Sequence, residues 1–319
     1  MRNWPIFIFI LLTIFSCGKT TDEETEDVVL QANIELGQSN CQNAIDILEG
    51  YGRQMKNYKY VKALASAYAC RGGYSSITFF TDDLAATTSP APLGGISTYT
   101  TSDPTFQVPL EYDPRFVDLQ TAINILLYAG GIASTTEPTT TERAKYFTTS
   151  QLGDLHTELM FMELVQLGRI IKVYGNVSVA GVKGGGTSGN NCLTSYSVSG
   201  ITPSSAGACN STNSAHSQTD KLTLNDEVVR KRRLCHGVVL MNGFLELLPA
   251  VIDTVFPATS ASRASVNAAL TAINLAKTAA GSIGQVLNTQ NQSSCEDNAI
   301  VSVSNLEAYY AFIMERSFL

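Results

Sequence analysis

Lys59-Tyr60-Val61-Lys62-Ala63-Leu64-Ala65-Ser66-Ala67-Tyr68-Ala69-Cys70-Arg71-Gly72-Gly73-Tyr74 is the stretch that decides the fold class. Val61, Leu64, Ala65 and Tyr68 recur at the i, i+3, i+4, i+7 spacing of one helical stripe. Ala63, Ala67 and Cys70 supply a second apolar side, and a helix apolar on two sides packs between two neighbours. Upstream, Cys41, Ala44, Ile45 and Leu48 repeat the same spacing. Downstream, helices are expected over Phe116 to Tyr128, Thr149 to Tyr174, Leu222 to Ile252, Ser262 to Ala280 and Ser304 to Phe318. In the last, Ser304 and Glu307 have a capping-box spacing. The pattern contains no strand set able to build a large sheet, so the expected class is all-α. The architecture is a stack of helical hairpins or an irregular bundle over residues 28–319.

The two upstream helices also make a statement about cysteines. One helix from Cys41 to Gly52 and an antiparallel one from Lys59 to Arg71 place Cys41 and Cys70 at equal distances from the turn. They then face each other at one end of the hairpin, and a bridge forms if their α-carbons come within about 7 Å.

Leu64-Ala65-x-x-Tyr68-x-x-x-Gly72-x-Tyr74 resembles the first-helix and turn pattern of a tetratricopeptide repeat, in which small residues allow close helix approach and a glycine closes the turn. Leu36-Gly37 followed by Ala44-Ile45 is a weaker counterpart about one repeat upstream. The resemblance covers residues 28–84 and departs from the pattern at Ile77, where the family has a small alanine, and in a longer turn after Gly37. It implies a short array of hairpins, an architecture that often presents a groove to a partner.

At the amino terminus Arg2 precedes an apolar run from Ile6 to Phe15 that is too short to span a bilayer as a helix and has the layout of a secretory signal. Ile14-Phe15-Ser16-Cys17 resembles the lipobox of bacterial lipoproteins. The resemblance implies cleavage after residue 16 and acylation of Cys17, with Gly18 directing the protein onward to the outer membrane, facing the periplasm. Several acyl chains anchor firmly, since each buried methylene contributes about 0.8 kcal/mol. Residues 17–27, acidic and threonine-rich, are expected to form the lipidated tether.

With 15% charged and 44% apolar residues the chain has the composition of a folded protein, and its net charge of −7 offers no nucleic-acid surface. The run Arg230-Lys231-Arg232-Arg233 is expected on a solvated helix face. Seven cysteines become an even six once Cys17 is lipidated: Cys41, Cys70, Cys192, Cys209, Cys235 and Cys295, disulfide candidates in an oxidising compartment.

Two irregular stretches, 85–115 and 175–221, interrupt the helices and exceed ordinary connector length. Phe79, Phe80, Tyr99, Phe106 and Tyr112 cluster around the first. They form the candidate binding surface, although aromatics so placed equally serve to anchor a loop on the core. Gly181 to Gly189 is glycine-rich, but Lys183 precedes the glycines, the reverse of a phosphate loop. His156 stands between Asp154 and Glu158 on a helix where residues two apart diverge by about 200 degrees, with Glu163 further along. Neither His216 nor His236 has a partner at metal-ligand spacing.

No catalytic residue, metal ligand or cofactor motif is read from the sequence, and the expected role is not enzymatic. The leading expectation is a lipid-anchored envelope protein that serves as a helical docking scaffold for another protein. The alternative, similar to tetratricopeptide lipoproteins that accompany periplasmic solute uptake, is a small ligand bound in a helical cavity. Metabolic labelling with palmitate tests the anchor: label enters the wild-type protein and is lost in Cys17→Ala, whereas equal labelling of both would contradict lipidation at this residue.

Overall fold

The computed structural model describes residues 21–83, 106, 109–175, 177, 193, 226–255, 267–268, 271, 274–275, 286–297 and 301–315. Among these the fold is all-α, with no strand. Cys17, Cys192, Cys209, Tyr99, His216, the 181–189 glycines and most of the expected 262–280 helix lie outside the described residues.

Helix α1 (Thr21–Gly37), α2 (Cys41–Tyr51) and α3 (Tyr58–Arg71) pack mutually. Asn57 caps α3, its side chain accepting from Tyr60 N at 3.1 Å. The expected stripes face inward: Ala44, Ile45 and Leu48 on α2, and Val61, Leu64 and Ala65 on α3, are buried, as are Ala63 and Ala67 on the other side of α3.

The segment expected as a tether is corrected by α1, which is helical from Thr21. Asp22, Glu23 and Glu24 fall in its first turn, where carboxylates complement the helix dipole. Thr25, Val29 and Ala32 form its buried face, Thr25 shares a hydrogen bond with the Tyr51 hydroxyl at 3.2 Å, and Glu26 pairs with Lys59 at 2.6 Å.

After α3 the chain turns at Gly72 into the short α4 (Ser76–Thr78), which widens into a π-helical turn, Phe79–Asp83. A β-carbon at Gly72 would lie 2.8 Å from Leu119 N, so this turn has room only for glycine. A 3-10 turn (Leu110–Tyr112) leads to α5 (Pro114–Leu127). It starts two residues before the expected boundary because Asp113 caps it, accepting from Arg115 N at 2.9 Å, and proline suits the first helical position. The short α6 (Thr140–Arg143) precedes α7, which runs over Thr149–Tyr174 as expected and opens on a full capping box between Thr148 and Gln151.

Helix α8 (Glu227–Val255) is long and apolar enough to cross a membrane by length and composition, yet 61% of its most apolar window is buried in the bundle. It carries α9 (Gln292–Glu296) and α10 (Val303–Tyr309), the latter continuing as a π-helical turn, Tyr310–Met314. The packing order is thus α1 and α2 on α3, α3 on α5, α5 on α7, α7 on α8, and α9 and α10 on α8.

Two further expectations are corrected here. Helix α10 is capped by Ser302, which accepts from Asn305 N at 3.2 Å, not by Ser304, because Glu307 is fully buried and pairs with Arg230 instead of capping. The basic run on α8 is not a solvated face: Arg233 is buried and donates to Glu111 at 2.8 Å, Lys231 is buried, and only Arg232 is exposed.

Cys41 and Cys70 form a disulfide, Cα to Cα 5.6 Å, joining the start of α2 to the end of α3 as the hairpin geometry requires. A second disulfide, Cys235–Cys295 at 5.7 Å, fastens α9 to α8. Peptide mapping without reductant is expected to recover both linked pairs. Replacing Cys41 and Cys70 together by serine should lower unfolding stability in urea by about 3 kcal/mol, the loop-closure contribution; an unchanged midpoint would contradict the bridge.

Candidate functional site

Between α5, α7 and α8 lies a cavity of about 180 Å³ closed on its fourth side by the chain entering α9. Its lining is mostly amide and hydroxyl: Gln120 and Asn124 from α5, then Tyr128 and Ser134, and Gln290 to Ser293 from the α9 entry. Leu127, Val239 and Leu240 supply apolar floor, and Glu163 of α7 is the acidic group in it. Asn124, Ser134 and Ser293 are exposed whereas Glu163, Leu127 and Leu240 are buried, so the cavity runs from a solvent rim to a dry floor.

The α9 entry is held rigidly for an irregular segment. Glu137 receives Thr289 Oγ1 at 2.9 Å and Gln290 N at 2.8 Å on its two oxygens. Asn242 of α8 donates to the carbonyls of Val286 at 2.9 Å and Thr289 at 2.7 Å, and itself accepts from the Tyr309 hydroxyl at 2.8 Å. Asn291 caps α9 through Ser294 N while its amide nitrogen donates to the Tyr128 hydroxyl at 2.9 Å and to the Ser134 carbonyl. The Cys235–Cys295 disulfide fixes the far end of the same segment.

Glu163 is 1% exposed, and its Oε2 has no hydrogen-bond partner among the described residues. Gly243 of α8 makes the space for it, since a methyl group there would overlap the Glu163 carboxyl. Glycine inside a helix costs about 1 kcal/mol relative to alanine, so the α7–α8 contact gives up stability to house this acid. Burial pushes the carboxyl well above the usual range; Arg143 opposes the shift and Glu246 reinforces it. Two more side-chain oxygens of the lining, Gln290 Oε1 and Gln292 Oε1, are buried without partners. The orientation of Gln292 is set by its nitrogen, which donates to Glu296 at 2.7 Å and to the Arg232 carbonyl at 3.1 Å.

Arg143, fully buried, stands behind this floor. It donates to His156 Nε2 at 3.2 Å and to the carbonyls of Leu127 and Pro138. His156 therefore points into the core. Asp154 instead accepts from the Tyr58 hydroxyl at 2.5 Å and Glu158 from Ser66 at 2.9 Å, so the three residues do not converge.

Among the described residues, the expected aromatic surface does not form as one patch. Phe79 is buried, 5.2 Å from Phe161 of α7, and only Phe80 beside it is exposed. Phe106 lies under two guanidinium groups, Arg115 at 4.8 Å and Arg169 at 5.2 Å, while Tyr112 is exposed. Phe79 and Phe106 anchor chain to core because burying a ring or covering it with arginine gains more than leaving it in water. Among the described residues, no group of three His, Cys, Asp or Glu side chains is placed to hold a metal.

Sequence reasoning had Glu163 in view beside His156 but missed the α9 entry. The signal was present as Asn288-Thr289-Gln290-Asn291-Gln292, a polar run between buried Val286-Leu287 and Cys295.

His156 gives the site a pH dependence. Burial, and then the Arg143 charge, lower its pKa from 6.5 to about 4. Its neutral form contributes stability that is complete above the unfolded value and is lost as pH falls through the folded one. His156→Gln, which keeps an acceptor for Arg143, should remove about 3 kcal/mol of the stability change between pH 6.5 and 4 in denaturant titrations. An unaltered pH profile would show that His156 does not titrate as a buried neutral group.

Comparison with protein-family models, with curated proteins and with solved structures found no match for this chain.

Proposed function

We propose that this is a lipid-anchored envelope protein, held at the outer membrane through Cys17, whose helical domain binds a small polar solute in the cavity between α5, α7 and α8. The observation that carries the reading is a cavity of about 180 Å³ lined mostly by amide and hydroxyl side chains, with the buried Glu163 at its floor. A lining of this kind offers hydrogen-bonding groups that fix a small solute in a partly apolar cleft. The rigid α9 entry supports the same reading, because a preformed wall loses little entropy when it takes a ligand.

The docking-scaffold reading has less behind it. Leu30 and Ile34, 60% and 53% exposed and one turn apart on α1, are its main support. Two side chains fall short of the several hundred Å² that mark a docking patch.

A solute that binds the folded state raises its stability by RT ln(1 + [L]/Kd). Thermal unfolding of the full-length protein in detergent against a panel of small amines, amino acids, amides, polyols and sugars should give a saturable rise in Tm for at least one class. That rise should disappear in a Glu163→Leu variant that still unfolds cooperatively. A panel without any saturable shift would overturn the solute reading.

A further inference from the structure

We infer that the solute taken by the cavity is a neutral polyhydroxy compound, a polyol or a monosaccharide, held through its hydroxyl oxygens. The inference rests on the solute-binding reading and names its chemical class.

Two chains of side-chain hydrogen bonds end at the cavity, and each ends in a donor. In the first, Gln166 of α7 is fixed by donating to the Phe116 carbonyl at 2.9 Å, and the same nitrogen donates to Gln120 Oε1 at 3.4 Å. Gln120 in turn donates to Asn124 Oδ1 at 3.2 Å, which occupies the amide oxygen of Asn124 and leaves its nitrogen for a solute. In the second, Asn291 donates to the Tyr128 oxygen at 2.9 Å, which leaves the hydroxyl proton of Tyr128 to be given away. Neither the Asn124 nitrogen nor the Tyr128 proton has an acceptor among the described residues. Asn124 lies in the last turn of α5 and Tyr128 directly follows that helix, so their side chains leave the backbone about 5–6 Å apart. Two donors at that separation call for two separate acceptor oxygens on the solute.

Charge narrows the class. No arginine, lysine or histidine is among the lining residues, so a carboxylate or phosphate would enter without a counter-ion. An ammonium group has donors only and would meet donors. Glu163 does not answer it, because its carboxyl is packed against Gly243 and interacts with the buried Arg143 behind the floor. A single carboxamide has one acceptor oxygen, one short of the pair. A polyhydroxy compound carries a donor and an acceptor on each of several carbons. It receives Asn124 and Tyr128 on two oxygens and exchanges further bonds with the Ser134 and Ser293 hydroxyls at the rim. Its C–H groups rest on the apolar floor of Leu127, Val239 and Leu240. At roughly 15 Å³ for each water-sized sphere, the cavity of about 180 Å³ admits about a dozen non-hydrogen atoms, the size of a monosaccharide.

Calorimetric titration of the full-length protein at pH 7, in a phosphocholine detergent that carries no hydroxyl group, tests the assignment. The probes are glucose, ribose and glycerol, with acetamide, glycine and ethylamine as comparisons. At least one polyhydroxy probe is expected to bind saturably, about tenfold or more tighter than any of the three comparisons. Asn124→Asp keeps the shape and the bond from Gln120 but replaces the free donor by an acceptor, and it should weaken that binding about tenfold. Tyr128→Phe, which removes the other donor, should also weaken it. Asn124 is exposed, so its replacement leaves the core untouched, and cooperative thermal unfolding checks that both variants fold. A comparison compound that binds as tightly as the best polyhydroxy probe, or polyhydroxy binding that neither substitution weakens, would overturn the assignment while leaving the solute site intact. Absence of binding by glucose, ribose and glycerol, when another member of the thermal panel does bind, would also overturn it. A panel with no binder would remove the solute reading itself.

Discussion

Buried polar groups on α7 must find partners, and the rest of the structure is arranged around that requirement. The helix carries His156, Glu163, Gln166 and Arg169 into a core where an unpaired polar group costs several kcal/mol. Three of the four make hydrogen bonds across helix boundaries. Arg169 donates to the carbonyls of Gly72 at 2.7 Å and Arg115 at 3.0 Å, and Gln166 to that of Phe116 at 2.9 Å. His156 receives Arg143, which also holds the Leu127 and Pro138 carbonyls. The acceptors lie at the end of α3 and at both ends of α5, so these bonds set the register of both helices against α7. A slip of one residue would orphan several buried groups at once.

Glu163 Oε2, like Gln166 Oε1, has no partner, but Glu163 is the one of the two that lines a cavity. Glycine at 243 opens the α8 face for its carboxyl, and the cavity beside it is lined mostly by amide and hydroxyl side chains. Opposite, the α9 entry is held by Glu137, Asn242, Asn291 and the Cys235–Cys295 disulfide, so the irregular wall keeps its shape without belonging to a helix. A packing defect would relax by collapse of flexible neighbours. Here the neighbours are tied elsewhere, which favours a site over a defect.

Much of the fold was legible because helical periodicity and capping are local. Val61, Leu64 and Ala65 announced α3, the helix expected over Thr149 to Tyr174 is α7, and hairpin arithmetic paired Cys41 with Cys70. What was not legible depended on partners distant in the chain. Nothing near Arg230 to Arg233 reveals that Glu307 and Glu111 bury two of the four arginine and lysine side chains in ion pairs. Asp22 to Glu26 have a tether's composition, and only the covering of Thr25 and Val29 by the folded chain makes them helix. The candidate site was harder still, since Glu163 and Gln290 are far apart in sequence and the emptiness between them is a property of three-dimensional packing.

The infrared difference spectrum of wild type minus Glu163→Gln at neutral pH tests the central claim most directly, because it reports the state of one carboxyl. A protonated carboxyl band that disappears in the variant is the result expected for an acid buried at the floor of the cavity. A carboxylate band lost in the variant, with no protonated carboxyl band, would contradict it.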